Sequence, residues 1–173
     1  MEILLPAERI HQRVRELAEQ IKADYKDQPV TIVGVLTGCL MFLADLVRHL
    51  DFPVRIALIQ ASSYRGAATK PGELRVQLDL VPDLSGRHVL LVDDILDSGM
   101  TLDHLTRHLR SLGPASLRVA VLLRKHGRQQ VALEPDYCGF DIPDAFVVGY
   151  GLDFNDEHRH LPYIAVIPDT ACG

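Results

Sequence analysis

The stretch VLLVDDILDSGMTL, Val89–Leu102, runs four aliphatic residues into three carboxylates, Asp93, Asp94 and Asp97, and then into a turn of small residues. A continuous aliphatic run of this length is typical of a strand that is buried in a parallel sheet. Carboxylates this close repel one another and raise one another's pKa unless a cation or a hydroxyl-rich ligand lies among them. The stretch therefore predicts a buried strand that ends at a binding site.

Strand and helix patterns alternate on both sides of this stretch. Apolar residues from Ile10 to Ile21 recur at the spacing of an amphipathic helix. Further strand patterns cover residues 31–36, 54–62 and 117–123, and further helix patterns cover residues 40–50 and 101–113. Because strand, helix and strand follow one another repeatedly, we predict an α/β fold in which a mostly parallel, twisted sheet is flanked by helices.

The end of the strand offers two kinds of binding group. In open parallel sheets, ligands bind at the carboxyl ends of the strands. Ser98 and Thr101 stand where the chain turns into a helix, and the backbone N–H groups of such a helix start attract an anion. A ribose 5-phosphate suits both the acids and this anion cradle. A simple polar turn is the alternative; a P-loop nucleotide site would need a G-x-x-x-x-G-K-[ST] motif, which the chain lacks.

Composition narrows the function classes. With 173 residues and 47% hydrophobic residues, the chain suits one domain over residues 1–173. The net charge of -5 and the lack of a Lys/Arg-rich block argue against a nucleic-acid partner. The N-terminal sequence predicts neither a signal peptide nor a membrane span, so we expect a cytoplasmic protein. The three cysteines have no C-x-x-C spacing and are expected to be free thiols, with Cys39 a small packing residue rather than a nucleophile.

The segment from Ser62 to Glu73 breaks the alternation of strands and helices. It contains two glycines and one proline and has no apolar periodicity, which indicates a long loop. Loops of this length in compact domains are commonly functional lids or disordered segments. We expect a lid over about residues 62–73, with a plain surface loop as the alternative.

Several motifs together resemble one enzyme family. VLLVDDILDSGMTL is similar to the phosphoribosyl-pyrophosphate signature of type I phosphoribosyltransferases, and IPDAFVVGYGLD, residues 142–153, narrows the resemblance to the hypoxanthine(-guanine) branch. TGCLMFLADL, the SSY that opens the lid, and LLRK extend it over nearly the whole chain. The resemblance implies the type I fold with a small hood formed by the terminal segments and a flexible lid.

The resemblance also assigns roles around the ribose and the phosphates. Asp93 and Asp94 would hold the ribose hydroxyls, and Asp97 would face N7 of the base as general base or as hydrogen-bond partner. The 5-phosphate would lie in the turn of Asp97, Ser98, Gly99, Met100 and Thr101. Pyrophosphate contacts are implied for Thr37, Gly38, Ser63, Tyr64 and Arg159. The cofactor would be Mg²⁺, and the implied metal-binding residues are Asp93, Asp94 and Asp153.

The purine would be bound by residues late in the chain. Lys125 matches the lysine that donates to the oxygen at C6, Phe146 the aromatic residue that stacks on the base, and Val147 the residue whose main chain pairs with the base edge. Asp153 matches the acid that meets the metal and lies at the purine site. His158 and His160 form an H-x-H pair that could instead indicate a transition-metal site, although no third ligand is tied to it by spacing.

The activity implied is Mg²⁺-dependent transfer of ribose 5-phosphate from phosphoribosyl pyrophosphate to N9 of hypoxanthine or guanine, within purine salvage, by a homodimer or homotetramer. A xanthine-preferring enzyme and a regulatory RNA-binding relative are the alternatives. Three residues depart from the family pattern: Thr37 stands where Lys or Arg is common, Asp93 where Glu is usual, and Met100 where a Lys or polar residue is usual. The peptide bond before Thr37 is often cis in this family.

Overall fold

A computed structural model describes residues 1–63, 74–77 and 81–168 of the chain. The helices are α1 (Ala7–Tyr25), α2 (Leu40–Val47) and α3 (Met100–Ser111). The strands, in chain order, are β1 (Glu2–Leu5), β2 (Val30–Leu36), β3 (Val54–Ser63), β4 (Leu74–Gln77), β5 (His88–Leu96), β6 (Ser116–Lys125), β7 (Tyr137–Ile142), β8 (Val147–Val148) and β9 (Ile164–Val166).

The main sheet has the strand order β4-β3-β2-β5-β6-β7. Strands β3, β2, β5, β6 and β7 run parallel to one another, and only β4 is antiparallel to its neighbour β3. The predicted fold class, a mostly parallel sheet flanked by helices, is confirmed. Because the five strands are parallel, the carboxyl ends of β2, β5 and β6 meet at one edge of the sheet.

The central strand β5 divides the core between the two faces of the sheet. Leu90 and Val92 pack in the cluster that contains the buried faces of α1 and α2, while Val89 and Leu91 pack in the cluster that contains α3. All four side chains are fully buried. The aliphatic run therefore forms a strand covered on both faces, as predicted, and this core holds the following carboxylates in place.

A second, antiparallel sheet joins the two ends of the described chain. Its strand order is β1-β9-β8, with Ile3 opposite Ala165 and Val148 opposite Ala165 on the other side. Ile164 is fully buried in the same apolar cluster as α1 and α2, so this small sheet is anchored to the main core. The sequence patterns had not predicted β1, β7, β8 or β9.

The remaining sequence predictions fall partly outside the described residues. Residues 62 and 63 of the predicted lid form the end of β3, and residues 64–73 lie outside the described part. Cys39 is fully buried in the core and Cys138 is partly buried, both as free thiols; Cys172 lies outside. In the part of the chain that the structure describes, no helix combines the length and apolar character needed to cross a membrane.

Candidate active site

Strand β5 delivers two adjacent carboxylates to the carboxyl edge of the sheet. Asp93 is 8% exposed, and its Oδ1 accepts a hydrogen bond of 2.9 Å from the backbone N–H of Asp94. Burial, and then the charge of Asp94, hold the pKa of Asp93 well above its usual range. Burial also raises the pKa of Asp94, against the opposing charge of Arg159. A cation or a set of hydroxyl donors beside these groups would favour their ionised forms.

The turn after β5 encloses a cavity of about 240 Å³. Gly99, with φ at +82°, makes the sharp turn into α3, and Ser98 Oγ accepts a hydrogen bond of 3.3 Å from the N–H of Met100. The residues that line the cavity include both carboxylates and every turn residue except Met100: Asp93, Asp94, Ile95, Leu96, Asp97, Ser98, Gly99, Thr101 and Leu102. Met100 is 55% exposed. The cavity therefore combines acids with the N-terminus of a helix, the two features expected from the sequence.

Asp97 lies between two cations. Its Oδ2 is 3.2 Å from Lys125 Nζ and its Oδ1 is 3.1 Å from Arg128 Nε. Partial burial raises the pKa of Asp97, but the hydrogen bonds from Arg128 and Lys125 outweigh burial, so the pKa is lowered overall. Asp144 lies 3.9 Å from Lys125 Nζ and 3.7 Å from Arg128 Nε. At neutral pH, Asp97 is thus an ionised hydrogen-bond acceptor.

The turn after β2 packs directly against Asp94. The peptide bond between Leu36 and Thr37 is cis, and Thr37 is exposed, whereas Gly38 is buried. A Cβ atom at Gly38 would lie 1.7 Å from Asp94 Oδ2, so only glycine fits there. Gly151, with φ at +102°, approaches just as closely, since its Cβ would lie 2.1 Å from the carbonyl oxygen of Gly38. Two turns and the end of β5 are therefore stacked at the carboxyl edge of the sheet.

Arg159 and Asp153 form one hydrogen-bonded unit beside these turns. Arg159 donates to the carbonyl oxygen of Gly151 at 2.7 Å and lies 2.8 Å from Asp153 Oδ1. The other carboxylate oxygen of Asp153 accepts from the N–H of Asp156 at 2.9 Å. The two side chains are about one-third exposed or less, which leaves both accessible to a ligand.

Two of the predicted purine residues, Phe146 and Val147, lie at the start of the short strand β8. Phe146 is 40% exposed and meets Phe154 edge to face, with ring centroids 5.5 Å apart. The Val147 side chain is buried, and its main chain pairs with Val166. An exposed aromatic face with an aromatic neighbour is suited to stacking on a planar base.

The predicted pyrophosphate residues Ser63 and Tyr64 lie at the limit of the described residues. Ser63 is the last residue of β3, and Tyr64 lies outside the described residues. Within residues 1–63, 74–77 and 81–168, no three His, Cys, Asp or Glu side chains gather closely enough to hold a metal ion on their own. The H-x-H alternative at His158 and His160 therefore gains no third ligand there.

Known proteins with similar sequences and a similar fold identify the family. The family model of the phosphoribosyl transferase domain matches residues 1–155. The hypoxanthine-guanine phosphoribosyltransferase of Mycobacterium tuberculosis is 43% identical over 171 residues, covering 95% of this chain and 85% of the relative. This chain belongs to the hypoxanthine-guanine phosphoribosyltransferase family. The expected resemblance is confirmed, and the chain is an enzyme, a transferase.

Two further members of the family support this assignment. The hypoxanthine phosphoribosyltransferase of Haemophilus influenzae is 39% identical over 170 residues, covering 96% of this chain and 95% of the relative. The solved structure of the hypoxanthine phosphoribosyltransferase of Staphylococcus aureus matches with a TM-score of 0.93 at 38% identity, covering all of this chain and 94% of that one. The stacked turns at the carboxyl edge of the sheet are therefore the candidate active site of a phosphoribosyltransferase.

Sequence reasoning missed two charged residues of this site, Arg128 and Asp144. Arg128 lies in the loop after β6, outside the quoted motifs, whereas Asp144 follows β7 within IPDAFVVGYGLD but was given no role. A signal was present, since Arg128 stands three residues after Lys125 in the segment that leaves the sheet edge where Asp97 lies. Without the register of β5 and β6, however, nothing tied that arginine to Asp97.

Proposed function

We propose that this enzyme transfers ribose 5-phosphate from phosphoribosyl pyrophosphate to N9 of hypoxanthine or guanine, releasing pyrophosphate. The observation that carries the proposal is the pairing of Asp97 and Lys125, whose oxygen and nitrogen atoms are 3.2 Å apart beside the turn at the start of α3. N7 and the oxygen at C6 are neighbouring atoms on one edge of a 6-oxopurine. An acceptor and a donor side by side match an N7–H group and this oxygen.

The same pairing argues against adenine. Adenine carries an amino group at C6, which would point a donor at the Lys125 ammonium. Lys125 is only 11% exposed, so its ammonium, which faces Asp97 and Asp144 on other sides, would have little water to replace the missing acceptor on the base. Leaving a buried donor unsatisfied costs about 1–3 kcal/mol, and more for a charged group. Rejection by an unpaired polar group is the stronger kind of selectivity available to an enzyme.

In the proposed mechanism, N9 attacks carbon 1 of the ribose as the bond to the pyrophosphate oxygen breaks. Asp97, held ionised by its two cations, accepts the hydrogen bond from N7–H and takes that proton as N9 forms its new bond. Asp93 and Asp94 hold the ribose hydroxyls, and their negative charge favours the positive charge that develops on the ribosyl group. Because its pKa is lowered, Asp97 is a weak base, and it takes the proton from N7 once bond formation at N9 has made that N–H acidic.

Pyrophosphate would lie over the turn of Thr37 and Gly38, with Arg159 as its cation. Gly38 lets this turn lie directly against Asp94 because it has no side chain, and Thr37 is exposed. Ser63 and Tyr64, at the start of the lid, would complete the pyrophosphate site when residues 62–73 close and exclude water.

The carboxylates of this edge fit Mg²⁺. Asp93 and Asp94 are oxygen donors whose ionised forms are disfavoured by burial and by each other, and a divalent cation would relieve this repulsion. Mg²⁺ commonly binds through one or two carboxylates together with substrate phosphates. We propose that Asp93 and Asp94 would hold such an ion at the ribose and that Asp153 would hold one near the pyrophosphate, in each case together with substrate oxygens. Bound there, the ion would supply neutralising charge for the departing pyrophosphate.

The assembly and setting complete the proposal. By analogy with the family, we expect the enzyme to form a homodimer or a homotetramer. The small sheet of β1, β9 and β8 would serve as the hood over the base. The substrates are soluble phosphorylated metabolites and bases, so the enzyme is expected to act in the cytoplasm.

The proposal is tested by offering hypoxanthine, guanine, xanthine, adenine and uracil separately with phosphoribosyl pyrophosphate and Mg²⁺. Nucleotide products are identified by mass spectrometry. We expect product with hypoxanthine or guanine and none above background with adenine or uracil. Product with uracil or adenine instead would refute the proposal. The absence of product with every one of the five bases would also refute it. A marked preference for xanthine would instead identify a xanthine-preferring phosphoribosyltransferase.

A further inference from the structure

Arg128 lies where it can control the orientation of Asp97. Each carboxylate oxygen of Asp97 faces a different cation: Oδ2 faces Lys125 Nζ at 3.2 Å, and Oδ1 faces Arg128 Nε at 3.1 Å. A carboxylate held at both oxygens cannot rotate freely about its Cβ–Cγ bond. Lys125 alone would leave one oxygen without a partner among the described residues.

The loop that carries Arg128 is fixed to the turn at the start of α3. The backbone N–H of Gln130 donates to the carbonyl oxygen of Ser98 at 2.9 Å. Val131 packs so closely on Gly99 that a Cβ atom at Gly99 would lie 2.7 Å from Val131 Cγ2. The backbone of the loop that carries Arg128 is therefore held against the turn that follows Asp97. The Arg128 side chain itself is 51% exposed.

We propose that Arg128 is a positioning residue that holds Asp97 in place when Lys125 turns to the oxygen at C6 of the purine. The inference rests on the proposed function, because it concerns the same base site. Lys125 cannot bond fully to both the purine oxygen and Asp97, and its hydrogen bond to Asp97 weakens as the base binds. Arg128 keeps its hydrogen bond to Oδ1 and leaves Oδ2 free to accept from N7–H.

Two charged groups besides Asp97 decide how much Arg128 contributes. Lys125 supplies the competing positive charge, and Asp144, 3.7 Å from Arg128 Nε, partly neutralises that arginine. Because Arg128 is half exposed, its contribution is that of a solvent-screened ion pair. Its hydrogen bond also lowers the pKa of Asp97, so loss of Arg128 raises that pKa.

The test compares Arg128→Gln and Arg128→Lys with the wild type in steady-state kinetics at saturating phosphoribosyl pyrophosphate. For Arg128→Gln, kcat/KM for hypoxanthine should fall by about two- to fivefold at neutral pH, the rate equivalent of an exposed ion pair. The acid limb of the kcat/KM profile should move to higher pH, and Arg128→Lys should restore part of both effects. In an Asp97→Asn background, Arg128→Gln should cause no further loss.

A matched control is available in α3. Arg107 forms an exposed pair with Asp103 at 2.8 Å, outside the site, so Arg107→Gln removes the same kind of ion pair without touching Asp97. Titration of the Asp97 carboxyl carbon by NMR, without substrates, gives a readout that needs no activity: Arg128→Gln should raise its midpoint, and Arg107→Gln should not.

The outcomes separate the two proposals. A wild type that makes no purine nucleotide refutes the proposed function, whatever Arg128 does. If the wild type is active on hypoxanthine but Arg128→Gln and Arg107→Gln do not differ in rate, in acid limb or in carboxyl titration, only the role of Arg128 is refuted. A further loss of activity from Arg128→Gln in the Asp97→Asn background would show that Arg128 does not act through Asp97.

Discussion

Replacing Gly38 by Ala should damage the active site far more than it damages the fold. The added Cβ would lie 1.7 Å from Asp94 Oδ2 and 2.6 Å from Asp94 Cγ. An ordinary carbon contact needs about 3.5 Å, so the turn or the carboxylate must move by more than about 1 Å. A displacement of about 1 Å in a catalytic arrangement can lower the rate by about 10²-fold. We expect kcat/KM for phosphoribosyl pyrophosphate to fall by about that factor.

The control for Gly38→Ala is Gly86→Ala. Gly86 has φ at +69°, and no atom lies within 4 Å of an added Cβ, so the change strains the backbone without altering the site. A left-handed non-glycine residue costs about 1–2 kcal/mol, comparable to the cost of overpacking at Gly38. Both variants should therefore lose similar amounts of thermal stability, while only Gly38→Ala should lose activity. Full activity in Gly38→Ala would refute the stacking of this turn on Asp94 as a catalytic requirement.

Three further substitutions test individual side chains. Asp97→Asn should lower kcat by about 10²–10⁴-fold, the scale of a lost general base, and a near-normal rate would remove Asp97 from proton transfer. Lys125→Gln should reduce the preference for hypoxanthine over adenine, measured as the ratio of kcat/KM values, by about 10- to 100-fold, the equivalent of about 1–3 kcal/mol; unchanged preference would refute the donor argument. Asp93→Asn should abolish most activity yet raise Tm at neutral pH by a few degrees, at about 2–4 °C per kcal/mol. Burial raises the folded-state pKa of Asp93, so its ionisation costs stability as pH rises through that pKa, and an Asn avoids this cost while retaining an oxygen for the Asp94 N–H. If the Asp93→Asn variant loses as much Tm between mildly acidic and neutral pH as the wild type does, the stability argument for Asp93 is contradicted.

The core of the fold could be predicted because its sequence signals are local and strong. Apolar residues from Ile10 to Ile21 are buried in α1, and the run from Val89 to Val92 is buried on both faces of β5. The short strands β8 and β9 were missed because two or three residues are too few to show the alternating hydrophobic pattern of a strand. Their pairing also depends on segments that are far apart in the chain.

Reasoning from the residues alone reached the site only where one motif kept its residues close together, whereas the role expected of Lys125 came from the family resemblance. Asp93, Asp94 and Asp97 are near neighbours in sequence, and the cavity they line was expected from that stretch. Arg128 meets Asp97 across 31 residues of chain, and this contact exists only because β5 and β6 are paired in parallel. The close approach of Gly151 to Gly38 likewise depends on tertiary packing, which no local pattern encodes.

The most direct test of the account is a competition between hypoxanthine and adenine at equal concentration, with phosphoribosyl pyrophosphate and Mg²⁺. The ratio of the two nucleotide products equals the ratio of the two kcat/KM values. The pairing of Asp97 with Lys125 predicts an excess of inosine monophosphate over adenosine monophosphate of at least about 10²-fold. Comparable amounts of the two products, or an excess of adenosine monophosphate, would contradict the assignment of this site to 6-oxopurines.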